Sequence, residues 1–196
     1  MQDVFYEETA TVQAEGAAKT KYYIAKTMSI ISYVIAFLWF FVIMLSPVGA
    51  DSLLSVVIVG GVPFILFLVS GILIGRLKNR FYVDYDYTFV SGSIRFSKII
   101  KNFKRKNILV FDTQNIDKIG KFGSDAFERY LSVPNIKRIT LTSNAVAAEG
   151  KDFYYMSVSV GGVKYLLILE CSETFFVNVF KFSGRSVFEE GFFNKR

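Results

Sequence analysis

Between Lys26 and Arg76 lie 49 residues whose only formal charge is Asp51. Such a stretch has to leave water, because nothing in it can form a solvated helix face. It breaks at one polar punctuation, Ser46-Pro47-Val48-Gly49-Ala50-Asp51-Ser52. A spanning helix needs about 20 mostly apolar residues, and Met28–Leu45 and Leu53–Gly75 both meet that requirement. The expected organisation is a leader (1–27), two transmembrane helices (28–75, with spans at about 28–45 and 53–75) and a tail domain (80–196).

Lys19, Lys21 and Lys26 precede the first span, Arg76, Lys78 and Arg80 follow the second, and the connecting loop has no base. By the positive-inside rule both termini are cytoplasmic in a multi-pass plasma- or inner-membrane protein. The competing reading is a cleaved signal peptide with Val48-Gly49-Ala50 as the cleavage site. The long leader, which carries Glu7, Glu8 and Glu15, and the length of the apolar run both disfavour it.

Gly60-Gly61 and Pro63 predict a kink in the second span. Gly71 and Gly75 form a small-xxx-small element suited to packing on the first span or on a second copy in a homo-oligomer; ordinary glycine content of a membrane helix is the competing reading. Neither span carries an ionisable side chain, which argues for an anchor and against an ion pathway.

The chain has no histidine and one cysteine, Cys171. This excludes an intrachain disulfide, a cysteine-rich zinc site and the histidine-based nucleophilic arrangements. No catalytic, cofactor or metal residues are assigned. The tail from Arg76 holds 20 lysines and arginines against 12 acids, a balance suited to anionic headgroups. Nucleic acid is not expected, since the strand-rich pattern provides no reading helix.

The tail reads as strands. From Phe81 to Val90 the odd positions are apolar or aromatic, and Asp84, Asp86 and Thr88 occupy the other face, expected to be wet. A second strand follows from Ile94 to about Phe103, its apolar face switching near Lys98 as at a bulge. Further strands are predicted at Ile108–Asp112, 117–121, around Ile139–Thr142, around Tyr154–Val160 and at 163–170. A short helix or loop falls at 124–134. Gly161-Gly162 signals a tight hairpin, and the seventh strand, apolar on both faces, belongs in the centre of a sheet. Ser172 reads as the N-cap of a helix with the stripe Phe175, Phe176, Val179 and Phe180, ended by Gly184. Phe188, Phe192 and Phe193 lie beyond it, suited to covering a sheet edge or entering the membrane interface. For the leader, Glu15-Gly16 suggests partial disorder, and whether Val4, Phe5 and Tyr6 pack on the tail is open.

About seven antiparallel strands closed by one C-terminal amphipathic helix, over roughly Tyr82 to Ser186, is the element order of a pleckstrin-homology-like (PH-like) domain. With Asp3-Val4-Phe5-Tyr6-Glu7, the double span and Tyr85-Asp86-Tyr87-Thr88-Phe89, the chain resembles a family of small, uncharacterised two-pass membrane proteins with a bacterial PH-like domain. The resemblance implies an α+β membrane protein whose tail binds a partner, with no activity to transfer.

Lys98, Lys101, Lys104, Arg105 and Lys106, interleaved with Ile99, Ile100 and Phe103, form the sharpest candidate site, for an anionic lipid or other anion. The competing reading is an edge strand whose lysines prevent edge-to-edge pairing. Asp84, Asp86, Asp112 and Asp117 read as strand solvent faces, with an acid/base or hard-metal site as the alternative. The leading expectation is a non-catalytic scaffold for a protein partner, the discriminating feature being an apolar groove between the strands and the C-terminal helix. A lipid-sensing module comes second, an enzyme third.

Overall fold

A computed structural model describes residues 4–45, 56–100, 104–183, 185–190 and 192–193. It divides into two units, residues 1–13 with 83–196, and residues 14–82.

The second unit is a helical hairpin. Helix α1 runs Glu15–Leu45 and, after a π-helical turn at Val56–Gly61, helix α2 runs Val62–Leu77. The π turn falls on the glycine pair just before Pro63, where intrahelical bonding is weakest. Both helices are long and apolar enough to cross a membrane, and residues such as Phe37, Leu38, Ile65 and Leu66 are exposed. Glu15-Gly16, expected to interrupt the leader and leave it partly disordered, instead opens α1. Residues 46–55, which hold the expected break and the start of the second span, lie outside the described residues.

The two helices meet through small groups. Ser29 Oγ donates to Gly71 O at 2.8 Å and Trp39 Nε1 to Gly60 O at 3.1 Å. A Cβ on Gly71 would come within 2.9 Å of the Tyr33 ring, and one on Gly75 within 3.1 Å of Ser29 Oγ. At the base, Tyr82 donates its hydroxyl to Glu15 Oε1 at 2.9 Å, and Lys19 pairs with the same carboxylate at 2.5 Å.

Among the described residues the other unit contains eight strands, where about seven were expected. Strands β1 (Phe5–Ala10), β2 (Val83–Val90), β3 (Ser93–Ile100) and β4 (Lys104–Asp112) form one antiparallel sheet in that order. Strands β5 (Ile116–Lys121), β6 (Lys137–Thr140), β7 (Asp152–Val160) and β8 (Val163–Cys171) form a second, ordered β5-β7-β8-β6. The leader, whose packing on the tail was left open, contributes β1, which pairs with β2 from Phe5↔Val90 to Ala10↔Tyr85. The expectation of antiparallel pairing throughout is corrected by β6, which runs parallel to β8. β5 and β6 run the same way at opposite edges of this sheet, so the chain between them crosses from one edge to the other, and that connection carries helix α3 (Asp125–Leu131), capped by Ser124 accepting from Phe127 N at 3.2 Å.

The core lies between the sheets and under helix α4 (Glu173–Ser183), whose Phe175, Phe176 and Val179 are fully buried against Tyr87, Phe96, Tyr154 and Leu167. Gly184 lies outside the described residues. As expected, β8 is interior, and its second face explains its apolar character: Leu166 packs with Tyr155 and Phe127 of α3. Gly161 and Gly162 adopt φ of +58° and +77°, as the tight turn requires. Phe188 bridges Ile119 in parallel, and Glu189 N donates to Ile119 O at 2.9 Å, so this segment covers the β5 edge.

Candidate functional site

Side chains alternate across a strand, so the register assigns the outer face of the first sheet. Glu7, Thr88 and Arg95 stand in one row; Phe5, Val90 and Ser93 in the next; Thr9, Asp86 and Ser97 on the other side. Phe5, Glu7, Thr88, Val90, Ser93, Arg95 and Arg105 line a groove of about 470 Å³. Phe5 is 65% exposed, an unusual setting for a strand aromatic.

The bulge expected near Lys98 is displaced by one strand. Phe96 pairs with Leu109 and Ser97 with Asn107, which leaves Ile108 of β4 as the extra residue. That insertion turns Arg105 onto the outer face, opposite Ile99 and Asp84. There Arg105 forms an ion pair with Asp86 and a second with Glu7 at 3.1 Å. Asp86, chiefly, and Glu7 raise the guanidinium pKa above its ordinary value. Asp86 is only 1% exposed and also accepts from Thr9 Oγ1 at 2.6 Å, while Asp84 accepts from Val12 N at 2.9 Å. The expected wet face for Asp84 and Asp86 is therefore corrected: β1, Arg105 and the residues after β1 lie over it.

The five-residue basic run is accordingly not one patch. Lys98 stands opposite Lys106, and Lys104 opposite Ile100, on the core-side face beyond the end of the core. Arg105 is on the other face, and Lys101 lies outside the described residues. Asp112 is exposed on β4, and Asp117 of the second sheet accepts from Ser159 Oγ at 2.8 Å. The four aspartates do not converge, and the described residues contain no group of three metal-ligating side chains.

Three carboxylates, Glu170 buried and Glu8 and Glu189 half-buried, escaped sequence reading, because each is defined by partners distant along the chain. Glu170, fully buried in β8, accepts from Thr142 Oγ1, from Asn144 Nδ2 at 2.8 Å and from Ala148 N at 3.0 Å. Glu8 accepts from Ser172 N and Oγ, both at 3.0 Å, and pairs with Lys151 at 3.2 Å. Glu189 accepts from Ser124 Oγ and Tyr155 OH, both at 2.8 Å. The Ser172 hydroxyl, expected to cap α4, is thus given to Glu8. Burial raises the pKa of Cys171, Tyr87 and Tyr154 above their ordinary values; for Tyr155, burial is reinforced by Glu189.

A family model described as a bacterial PH-like domain (DUF6106) matches residues 2–189. The chain belongs to this PH-like family. The match takes in β1 and the helical hairpin as well as the sheets, so in this chain the hairpin lies inside the matched region, between the first and second strands. No curated protein and no solved structure matches the chain.

Proposed function

We propose that this DUF6106 protein is a two-pass membrane anchor with both ends cytoplasmic, presenting its PH-like domain as a non-catalytic docking module for a protein partner. The observation that carries the reading is the outer groove of the first sheet. Exposed Phe5 and Val90 sit there among Glu7, Arg95 and Arg105. An aromatic anchor ringed by charges of both signs is the anatomy of a protein interface. This groove lies on the sheet face, not between the strands and the C-terminal helix, where one was expected. The carboxylates bonded inside the fold support the same reading, since Asp86, Glu170 and Glu189 are each held by at least two donors and stand as structural groups. The membrane part rests on the apolar exposed surface of α1 and α2 and on the distribution of flanking bases.

The test is site-specific photo-crosslinking in intact cells from position 90, with position 146 on an exposed loop as control. A discrete protein adduct from 90 alone, lost on Arg95→Glu, is the expected outcome. Equal labelling from both positions would contradict the reading.

A second reading, anionic-lipid sensing, is favoured by the grouping of Lys98, Lys104 and Lys106 on one face. On that reading alone, exchanging the three for glutamine should lower the selective retention of anionic over neutral lipid by the full chain.

A further inference from the structure

We propose that the base of the helical hairpin, rather than the strand lysines, is a binding collar for anionic phospholipid headgroups. The inference rests on the membrane-anchor reading above.

Ser29 bonds Gly71 and lies against Gly75, which places the two helices level at that point. With a rise of about 1.5 Å per residue, and the level of Ser29 taken midway between Gly71 and Gly75, Lys26 and Arg76 lie about 4.5 Å from that level and Arg80 and Lys21 about 11–12 Å from it. The four bases thus span a layer about 7–8 Å deep. All four side chains are exposed. A layer of that depth is comparable to the headgroup zone, which occupies about 5–8 Å on each side of the hydrocarbon.

Tyr23 lies in the same layer and is 60% exposed. An exposed tyrosine beside snorkelling bases is the expected furnishing of a membrane–water interface. Acids are nearly absent: residues 16–45 and 56–82 contain none. The one acid at the base, Glu15, is held by Lys19 and Tyr82, so its charge is neutralised locally and does not oppose an anion above it. The collar therefore offers four cations and one phenol to phosphate. By contrast, the strand run is divided between two faces, and its arginine is already paired with Glu7 and Asp86.

The experiment uses the full chain in nanodiscs of mixed phosphatidylglycerol and phosphatidylcholine, with the lipids retained after transfer to detergent counted by native mass spectrometry. Wild type should retain phosphatidylglycerol selectively. Exchanging Lys21, Lys26, Arg76 and Arg80 for glutamine should lower that selectivity at least about tenfold. Exchanging Lys98, Lys104 and Lys106 for glutamine should leave it unchanged, and a Lys21→Arg/Lys26→Arg/Arg76→Lys/Arg80→Lys chain should retain it. Equal retention of the two lipids by wild type, or selectivity that survives the glutamine exchange at the collar, would overturn the proposal. Alkaline carbonate extraction separates the two readings. A chain that washes off membranes contradicts the anchor; a chain that stays but shows no lipid preference contradicts the collar alone.

Discussion

The Val12 amide donates to Asp84 Oδ1 at 2.9 Å, although the two residues are 72 positions apart. The bond closes the gap between the last residues of the leader and the first residues of β2. Beside it, Ser143 Oγ donates to Val83 O at 2.8 Å, and Asn144 Nδ2 donates to Thr11 O at 2.8 Å. One loop thus ties both places where the chain leaves and re-enters the sheet. β1 and β2 are an antiparallel pair of the kind usually joined by a tight turn, and the helical hairpin occupies the place of that turn. The proposed docking face is built from both sides of it: Phe5 and Glu7 come before the hairpin, and Val90, Arg95 and Arg105 after it.

Glu170→Ala is expected to destabilise the domain by about 1–3 kcal/mol, because it takes the shared acceptor from the buried Thr142 hydroxyl and from the half-buried Asn144 side chain and Ala148 amide. Glu170→Gln should cost less, since one amide oxygen still accepts. Thermal unfolding of the full chain in detergent checks the order of the two variants; equal effects would contradict it.

Gly120→Ala is expected to cost about 1–3 kcal/mol. Its new Cβ would lie 2.2 Å from the Glu189 carboxyl carbon and 2.6 Å from the Tyr155 ring. Something must move, and the movable group is Glu189, which then gives up Ser124 and Tyr155. Gly16→Ala in α1 meets nothing within 4 Å and should be neutral or stabilising by up to about 1 kcal/mol. Urea midpoints for the two variants should therefore shift in different directions or by clearly different amounts.

The domain should lose stability on the alkaline side. Burial raises the pKa of Cys171 and Tyr87 in the folded state. Their contribution is complete below the unfolded values, near 8.5 for cysteine and 10 for tyrosine. It falls as pH rises above those values, because the unfolded chain ionises first and the folded chain only later. A melting temperature flat from pH 7 to 8 and falling steadily from about pH 9 is expected. Cys171→Ser should reduce the slope near pH 9 and leave the steeper fall above 10.

Gly71→Leu should force α1 and α2 apart, since even a Cβ there meets the Tyr33 ring at 2.9 Å. Tyr33→Ala in the same chain should restore the close approach in part. Disulfide trapping between cysteines introduced on facing positions of the two helices reads the distance directly; trapping unaffected by Gly71→Leu would contradict the packing.

Local patterns made much of this fold legible. The charge-free run marked the helical hairpin, Gly161-Gly162 marked the β7–β8 turn, and the phenylalanine stripe marked α4. What stayed hidden depends on contacts distant in sequence. β1 is six residues of mixed character, FYEETA, and only pairing across the hairpin makes it a strand. Asp86 follows the alternation expected of a wet face, and nothing local reveals that Thr9 and Arg105 lie over it. The basic run looked continuous because Lys104, Arg105 and Lys106 read as a turn, whereas they open β4, where alternation separates Arg105 from its lysine neighbours and the extra residue Ile108 decides which face it takes. Ser172 sits where a cap belongs, but Glu8 claims its hydroxyl.

The strand that precedes the helical hairpin completes the domain. The direct measurement replaces residues 14–82 by a short Asn-Gly turn and compares urea unfolding of that closed chain with the fragment 79–196 alone. The account predicts one cooperative transition with native near-ultraviolet dichroism for the closed chain. It predicts a fragment at least about 3 kcal/mol less stable or unfolded, since the fragment loses a whole ladder and the partners of Asp84, Asp86 and Ser172. A fragment as stable as the closed chain would contradict it.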